Sequence, residues 1–176
     1  MSVTLYAGNH MGDEETIFSI SEGHLDSGLR GIPVGTCKTS YVDPIEGVHY
    51  VGYPVGDLAD LEEEDVIYLL MHKRLPDEEE SAAFRKELAH RGEEMPTGAL
   101  RVLENLTPGS GHPMDWLSIG IMAMGAAETT GDVRVDSMNL IARTPELMAR
   151  IFLLRGGNKE KLRPRNSVLC LLENFV

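Results

Sequence analysis

The sequence predicts a mainly α, multi-helical fold preceded by one short N-terminal β-hairpin. Three observations carry that prediction. From Glu62 onward apolar residues recur at helical three- and four-residue spacing. A run from Trp116 to Ala126 is apolar on nearly every side, as in a helix covered all round. One pair of runs rich in Val, Thr and Tyr, Ile32 to Tyr41 and Val48 to Tyr53, flanks the turn residues Asp43-Pro44-Ile45-Glu46-Gly47.

The elements follow in order. Residues 1–27 read as an irregular acidic arm with only short apolar pieces. The hairpin comes next, and because a two-stranded hairpin is marginal alone in water it must lie against helices. Asp57 to Leu61 makes a short turn. Glu62 to Asp65 then crowd the start of an apolar helix through Val66, Ile67, Leu69, Leu70 and Met71, acids that suit a helix N-terminus and are expected to be solvated. Pro76 and Asp77 to Glu80 open another helix, with Phe84 and Leu88 on one face and Glu87 placed to pair with Arg91. Pro96 starts a short helix whose expected buried side is Leu100, Val102, Leu103 and Leu106.

His112-Pro113-Met114-Asp115 starts the apolar helix, with Pro where no amide donor is needed and Asp in the first turn. Ser118, Gly120 and Gly125 along it allow another helix to approach closely. Asp132 to Leu154 reads as two helices broken at Thr144-Pro145, with Val135, Met138 and Ile141 on the first and Leu147, Met148, Ile151 and Phe152 on the second. Gly156 and Gly157 end the second. After a basic loop, Val168 to Val176 forms an apolar helical segment without a capping residue.

With 28 acidic and 16 basic residues among 176, the net charge of −12 argues against nucleic acid and membrane surfaces as partners. Arg150, Arg155, Lys159, Lys161, Arg163 and Arg165 form a local basic cluster that could hold an anion, but cations that complement a helix C-terminus are the preferred account of it. Cys37 and Cys170 are far apart and lack ligand spacing, which suggests neither a disulfide framework nor a zinc site. No secretory signal pattern opens the chain and no stretch approaches the roughly 18 apolar residues of a membrane span, so a cytoplasmic protein is expected.

Phosphate-loop, nucleophile-elbow, metalloprotease-helix, calcium-loop and dinucleotide-binding patterns are all missing from the sequence. Of six histidines, His10, His24, His72 and His90 sit in polar surroundings and read as surface residues. His49, within a strand, and His112, at a helix start, are expected to be partly buried. Either is chemically able to act as a general base, but neither has a Ser, Cys or acid at dyad spacing, and a helix-start His ordinarily satisfies local backbone groups.

The stretch from Gly28 to Asp43, then Gly47 and Tyr50 to Ala59, resembles the opening of citrate synthases. Tyr68-Leu69-Leu70, Leu75-Pro76, His112-Pro113-Met114 and Glu173-Asn174-Phe175 resemble later landmarks of that family, in the same order. The resemblance covers residues 28–176. It implies that 28–176 is the N-terminal part of a citrate-synthase-like large domain, incomplete and without the small domain. It also implies a homodimer through the helix Pro113 to Ala127, or pairing with a C-terminal citrate-synthase chain.

The family condenses acetyl-CoA with oxaloacetate, using two histidines, an aspartate and carboxylate-binding arginines. Those residues come after the segment that Glu173-Asn174-Phe175 resembles. His90-Arg91-Gly92 is similar to one of their contexts but lies in the wrong place. Accordingly no catalytic, cofactor-binding or metal-ligating residue is assigned, no cofactor is expected, and acetyl-CoA and oxaloacetate are expected only in a complete enzyme. Three origins fit: a truncated product, a subunit of a split enzyme, or a stand-alone relative with a binding role, such as a non-catalytic dimerising or regulatory subunit. The uncapped apolar end favours the first two. A methylcitrate synthase or a citryl-CoA lyase relative is an alternative within the same family.

Overall fold

The computed structural model describes residues 18–28, 30–33, 35–158 and 170–171. Two compact units are present, Met1–Lys38 and Thr39–Val176. In the described part of the first, the one regular element is a 3-10 turn, Glu22–His24, closed by Ser21, whose backbone N–H donates to His24 Nδ1 at 2.9 Å.

The second unit opens with β1 (Ser40–Asp43), β2 (Gly47–Tyr50) and β3 (Tyr53–Pro54), an antiparallel sheet in the order β1-β2-β3. Among the described residues six helices follow: α1 (Val55–Leu58), α2 (Glu63–His72), α3 (Glu78–Arg91), α4 (Thr97–Glu104), α5 (Pro113–Glu128) and α6 (Val133–Arg155). The mainly α class is therefore correct, and the hairpin is present with a third short strand added. Asp43 makes the turn: its Oδ1 accepts the backbone N–H of Ile45 at 2.7 Å and of Glu46 at 2.8 Å. Val51 and Gly52, both at positive φ, then reverse the chain again into β3. The expected long strand from Ile32 shrinks to four residues, because the two turns fix a ladder only from Ser40 onward.

Two hydrophobic clusters organise the helices. Tyr68 of α2, Phe84 and Leu88 of α3, and Met138 and Ala142 of α6 form one. Met95, Ala99 and Leu103 around α4, Trp116 and Met124 of α5, and Leu147, Ile151 and Leu154 of α6 form the other. The i,i+4 pair Phe84 and Leu88 is buried as its spacing predicts. Asp77 caps α3, accepting from Glu80 N at 2.8 Å, while Glu80 reaches back to Asp77 N and also pairs with Arg74. Glu87 and Arg91 pair at 2.6 Å.

Several expectations are corrected. α6 is a single helix of 23 residues that runs through Pro145. The missing proline donor breaks one backbone bond, but burial of α6 on both sides of Pro145 outweighs that loss. Val102 faces solvent, since the buried line of α4 runs through Ala99 and Leu103. Phe152 is likewise exposed, on the side of α6 opposite Leu154. Glu64, expected to be solvated, is only 3% exposed because the backbone N–H of Leu171 donates to its Oε1 at 2.7 Å. His24 is half-buried against Phe18. The expected helix Val168 to Val176, Lys159 to Arg165 of the basic cluster, and His10 lie outside the described residues, Cys170 and Leu171 excepted. Among the described residues no helix is long and apolar enough to cross a membrane.

Candidate functional site

The sequence makes α5 unusual, and the structure shows how it is built. His112 is its N-cap: Nδ1 accepts from Met114 N at 3.2 Å, and Asp115 Oδ2 accepts from His112 N at 2.8 Å. Pro113 occupies the first turn, where its absent N–H costs nothing. Four residues apart, Trp116, Gly120 and Met124 form the line that faces the core. Trp116 Nε1 donates to the carbonyl of Ser110 at 2.8 Å, and Arg155 donates to the same oxygen while its guanidinium lies over the indole ring.

The opposite line of α5, Met114, Ser118, Met122 and Ala126, is open to solvent, with Met122 75% exposed. Among the described residues the helix is thus covered on one side only. Composition alone identifies a helix without a polar face, but it does not say which side the chain itself covers. Beside the open line runs a groove of about 160 Å³ with Ile121, Met124, Gly125 and Leu140 as its apolar lining. Its polar edge carries Glu128, Asp136, Asn139 and Arg143.

That polar edge was not legible in the sequence as a group. Arg143 Nε donates to the carbonyl of Arg91 at 3.1 Å and its guanidinium reaches Glu128 Oε2 at 2.7 Å, so one side chain ties α6 to the ends of α3 and α5. Asp136 gathers the loop between α5 and α6: its carboxylate accepts from Thr130 N, Thr130 Oγ1, Thr129 Oγ1 and Gly131 N. Those donors, Thr130 N first, hold its pKa down at about 2. The Thr129-Thr130-Gly131-Asp132 sequence was the signal available: turn residues before a helix whose cap, Asp132, accepts from Arg134 N.

The two candidate histidines do not meet a nucleophile. His49 is buried, stacked on its cross-strand partner Tyr41 with ring centroids 4.6 Å apart, and its Nδ1 lies 3.3 Å from the carbonyl of Gly47. His112 is exposed rather than partly buried, because both its backbone and ring are used in capping at the rim of α5. His72 is exposed and stacks on Tyr68, and His90 pairs with Glu93 on the surface. Glu62, Glu63 and Cys170 bring ligand atoms within 4.8 Å of one another. These acids stand at the positive end of α2, which opposes a cation, and no metal site is assigned to them. What the arrangement offers is packing: a stripe of methionine and small residues beside a shallow apolar groove.

Residues 28–176 match the sequence model of the family described as Citrate synthase, C-terminal domain. The chain is similar to the citrate synthase of Haloferax volcanii, 40% identical over 148 residues, which is 77% of this chain and 38% of the relative. It is similar also to the citrate synthase of Synechocystis, 28% identical over 96% of this chain and 42% of the relative. Among solved structures, the citrate synthase of Pyrobaculum aerophilum aligns with a TM-score of 0.72 at 25% identity, over 85% of this chain and 40% of that one. The chain therefore spans about two fifths of the length of these relatives. A match over nearly the whole second unit, in sequence and in the arrangement of its helices, makes this chain a member of the citrate synthase family.

Proposed function

We propose that this chain is the N-terminal part of a citrate synthase, inactive by itself, which condenses acetyl-CoA with oxaloacetate once a C-terminal part completes it. The observation that carries this reading is the match of residues 28–176 to the family, together with an alignment that spans only 38% of the Haloferax volcanii relative. The described histidines fit the same reading: His49, His72, His90 and His112 are each engaged in stacking, pairing or capping, and His24 bonds Ser21 only within the short turn that Ser21 closes. Catalysis of carbon–carbon bond formation needs a base, an electrophilic partner for the carbonyl and carboxylate-binding cations in one water-excluding site. These would come from the part of the enzyme that this chain does not span.

The open side of α5 is, in this proposal, the contact between two copies of the enzyme, with Met114, Met122 and Ala126 at its centre. The supporting observation is an apolar stripe exposed on a helix whose other side is fully packed. The test mixes this chain with a chain corresponding to the remaining length of its relatives and follows free CoA release from acetyl-CoA and oxaloacetate. Turnover in the mixture and none in either chain alone is expected. A correctly assembled mixture without turnover would overturn the catalytic reading and leave a regulatory subunit, whose signature is dimerisation through the same stripe.

A further inference from the structure

The two hydrophobic clusters share one helix, and they divide it. Met138 and Ala142 pack with α2 and α3, whereas Leu147, Ile151 and Leu154 pack with α4 and α5. The change of partners takes place between Ala142 and Leu147, and Pro145 lies inside that interval. Proline has no N–H, so the Ile141 carbonyl loses its helical donor, and the ring presses on the preceding turn. Immediately before it, Thr144 Oγ1 donates to the carbonyl of Leu140 at 2.7 Å, a bond that tends to bend helices. The weakest stretch of backbone bonding in α6 thus coincides with the seam between the clusters.

Beside the bonds of Asp136 to the loop after α5, a second side chain crosses that seam near the proline. Arg143 reaches the last turn of α3, which belongs to the first cluster, through the carbonyl of Arg91. It reaches the last residue of α5, which belongs to the second, through Glu128. Arg91 is itself fastened to Asn139 of α6 at 2.8 Å. With its side chain 14% exposed, Arg143 holds both contacts in partial shelter from solvent.

We propose that α6 is a hinge at Thr144–Pro145, about which the α2–α3 body and the α4–α5 body rotate, and that Arg143 is the clasp that keeps the two in one orientation. An uninterrupted helix would lock both bodies to a common axis. Pro145 relieves that lock, and the forked bonds of Arg143 restore it reversibly. Because α5 belongs to the second body, the hinge sets the angle at which the Met114–Met122 stripe is presented relative to α2 and α3.

Pulsed electron spin resonance tests this on the full chain. Spin labels go on Lys86→Cys in α3 and Arg101→Cys in α4, both exposed positions, in a Cys37→Ser, Cys170→Ser background. With the clasp intact a single narrow distance distribution is expected. Arg143→Gln should at least double its width, and adding Pro145→Ala should narrow it again, with the circular dichroism helix signal kept throughout. Where Arg143→Gln loses helix, Arg143→Lys replaces it, since lysine lacks the fork that spans both partners. A width unchanged by loss of the fork, or one that stays broad after Pro145→Ala, overturns the proposal.

Discussion

A Cβ on Gly120 would stand 2.7 Å from Cδ1 and 3.2 Å from Cδ2 of Leu147, so α5 and α6 approach each other at a point that has no room for a methyl group. Leu147 is fully buried and its methyls have nowhere to retreat except into the packed second cluster. Gly120→Ala gains about 1 kcal/mol of helix propensity but overpacks a tight contact at a cost of about 1–3 kcal/mol. The expected net effect is destabilisation of up to about 2 kcal/mol, read as a lower urea midpoint. Leu147→Val in the same chain should recover part of it, and a simple sum of the two single losses would show that the contact is not shared.

On α4 two adjacent apolar residues should behave oppositely. Leu103 is fully buried among Ala99, Trp116 and Leu147, whereas Val102 is 44% exposed. Leu103→Ala is expected to cost about 2–5 kcal/mol and Val102→Ala less than about 0.5 kcal/mol. Thermal denaturation of the pair decides which side of α4 is the packed one.

Met122→Glu places a charge on the open stripe of α5. Since Met122 has few neighbours in the chain itself, the fold should be retained, with an unchanged circular dichroism spectrum. If two copies meet there, the mass by light scattering falls from dimer to monomer, because the charge would be buried without a partner. A dimer that survives the substitution would place the subunit contact elsewhere.

Asp136 gives a pH dependence with a definite sign. Its carboxyl is held at about 2 in the fold, against an ordinary value of 3.8, by the donors of Thr130, Thr129 and Gly131. A depressed folded-state value means stability that is fully present above the unfolded-state value and is lost as pH falls through the range from about 4 to about 2. Asp136→Asn should therefore be less stable than the parent at neutral pH, and its melting temperature should fall less between pH 4 and pH 2. Parallel pH profiles for the two proteins would exclude Asp136 as a source of that stability.

Local chemistry explains what was legible. The His112-Pro113-Met114-Asp115 start fixes α5, and the structure ends the helix one residue past the expected Ala127. The Asp43 turn and the Asp77 cap were equally plain, since each is built from side chains within three residues. The continuity of α6 was not legible, because the penalty of Pro145 is local while its compensation comes from helices far away in sequence. For the same reason Glu64 read as a surface acid: its partner, Leu171 N, lies 107 residues further on. Of the candidate site, the apolar character of α5 was visible, but the Arg143 junction was not, since Arg91, Glu128 and Arg143 have no periodic relation.

The division of α6 between two clusters also bears on the birth of the protein. A ribosome releases α2, α3, α4 and α5 before Val133–Arg155 has been made. Until α6 emerges, Tyr68, Phe84 and Leu88 on one pair, and Leu103, Trp116 and Met124 on the other, lack the surface that covers them. The nascent chain therefore carries two unfinished apolar faces at once, a state open to aggregation and to chaperone capture. Both close on the arrival of a single segment, so a pause in translation before residue 133 lengthens exposure of both faces.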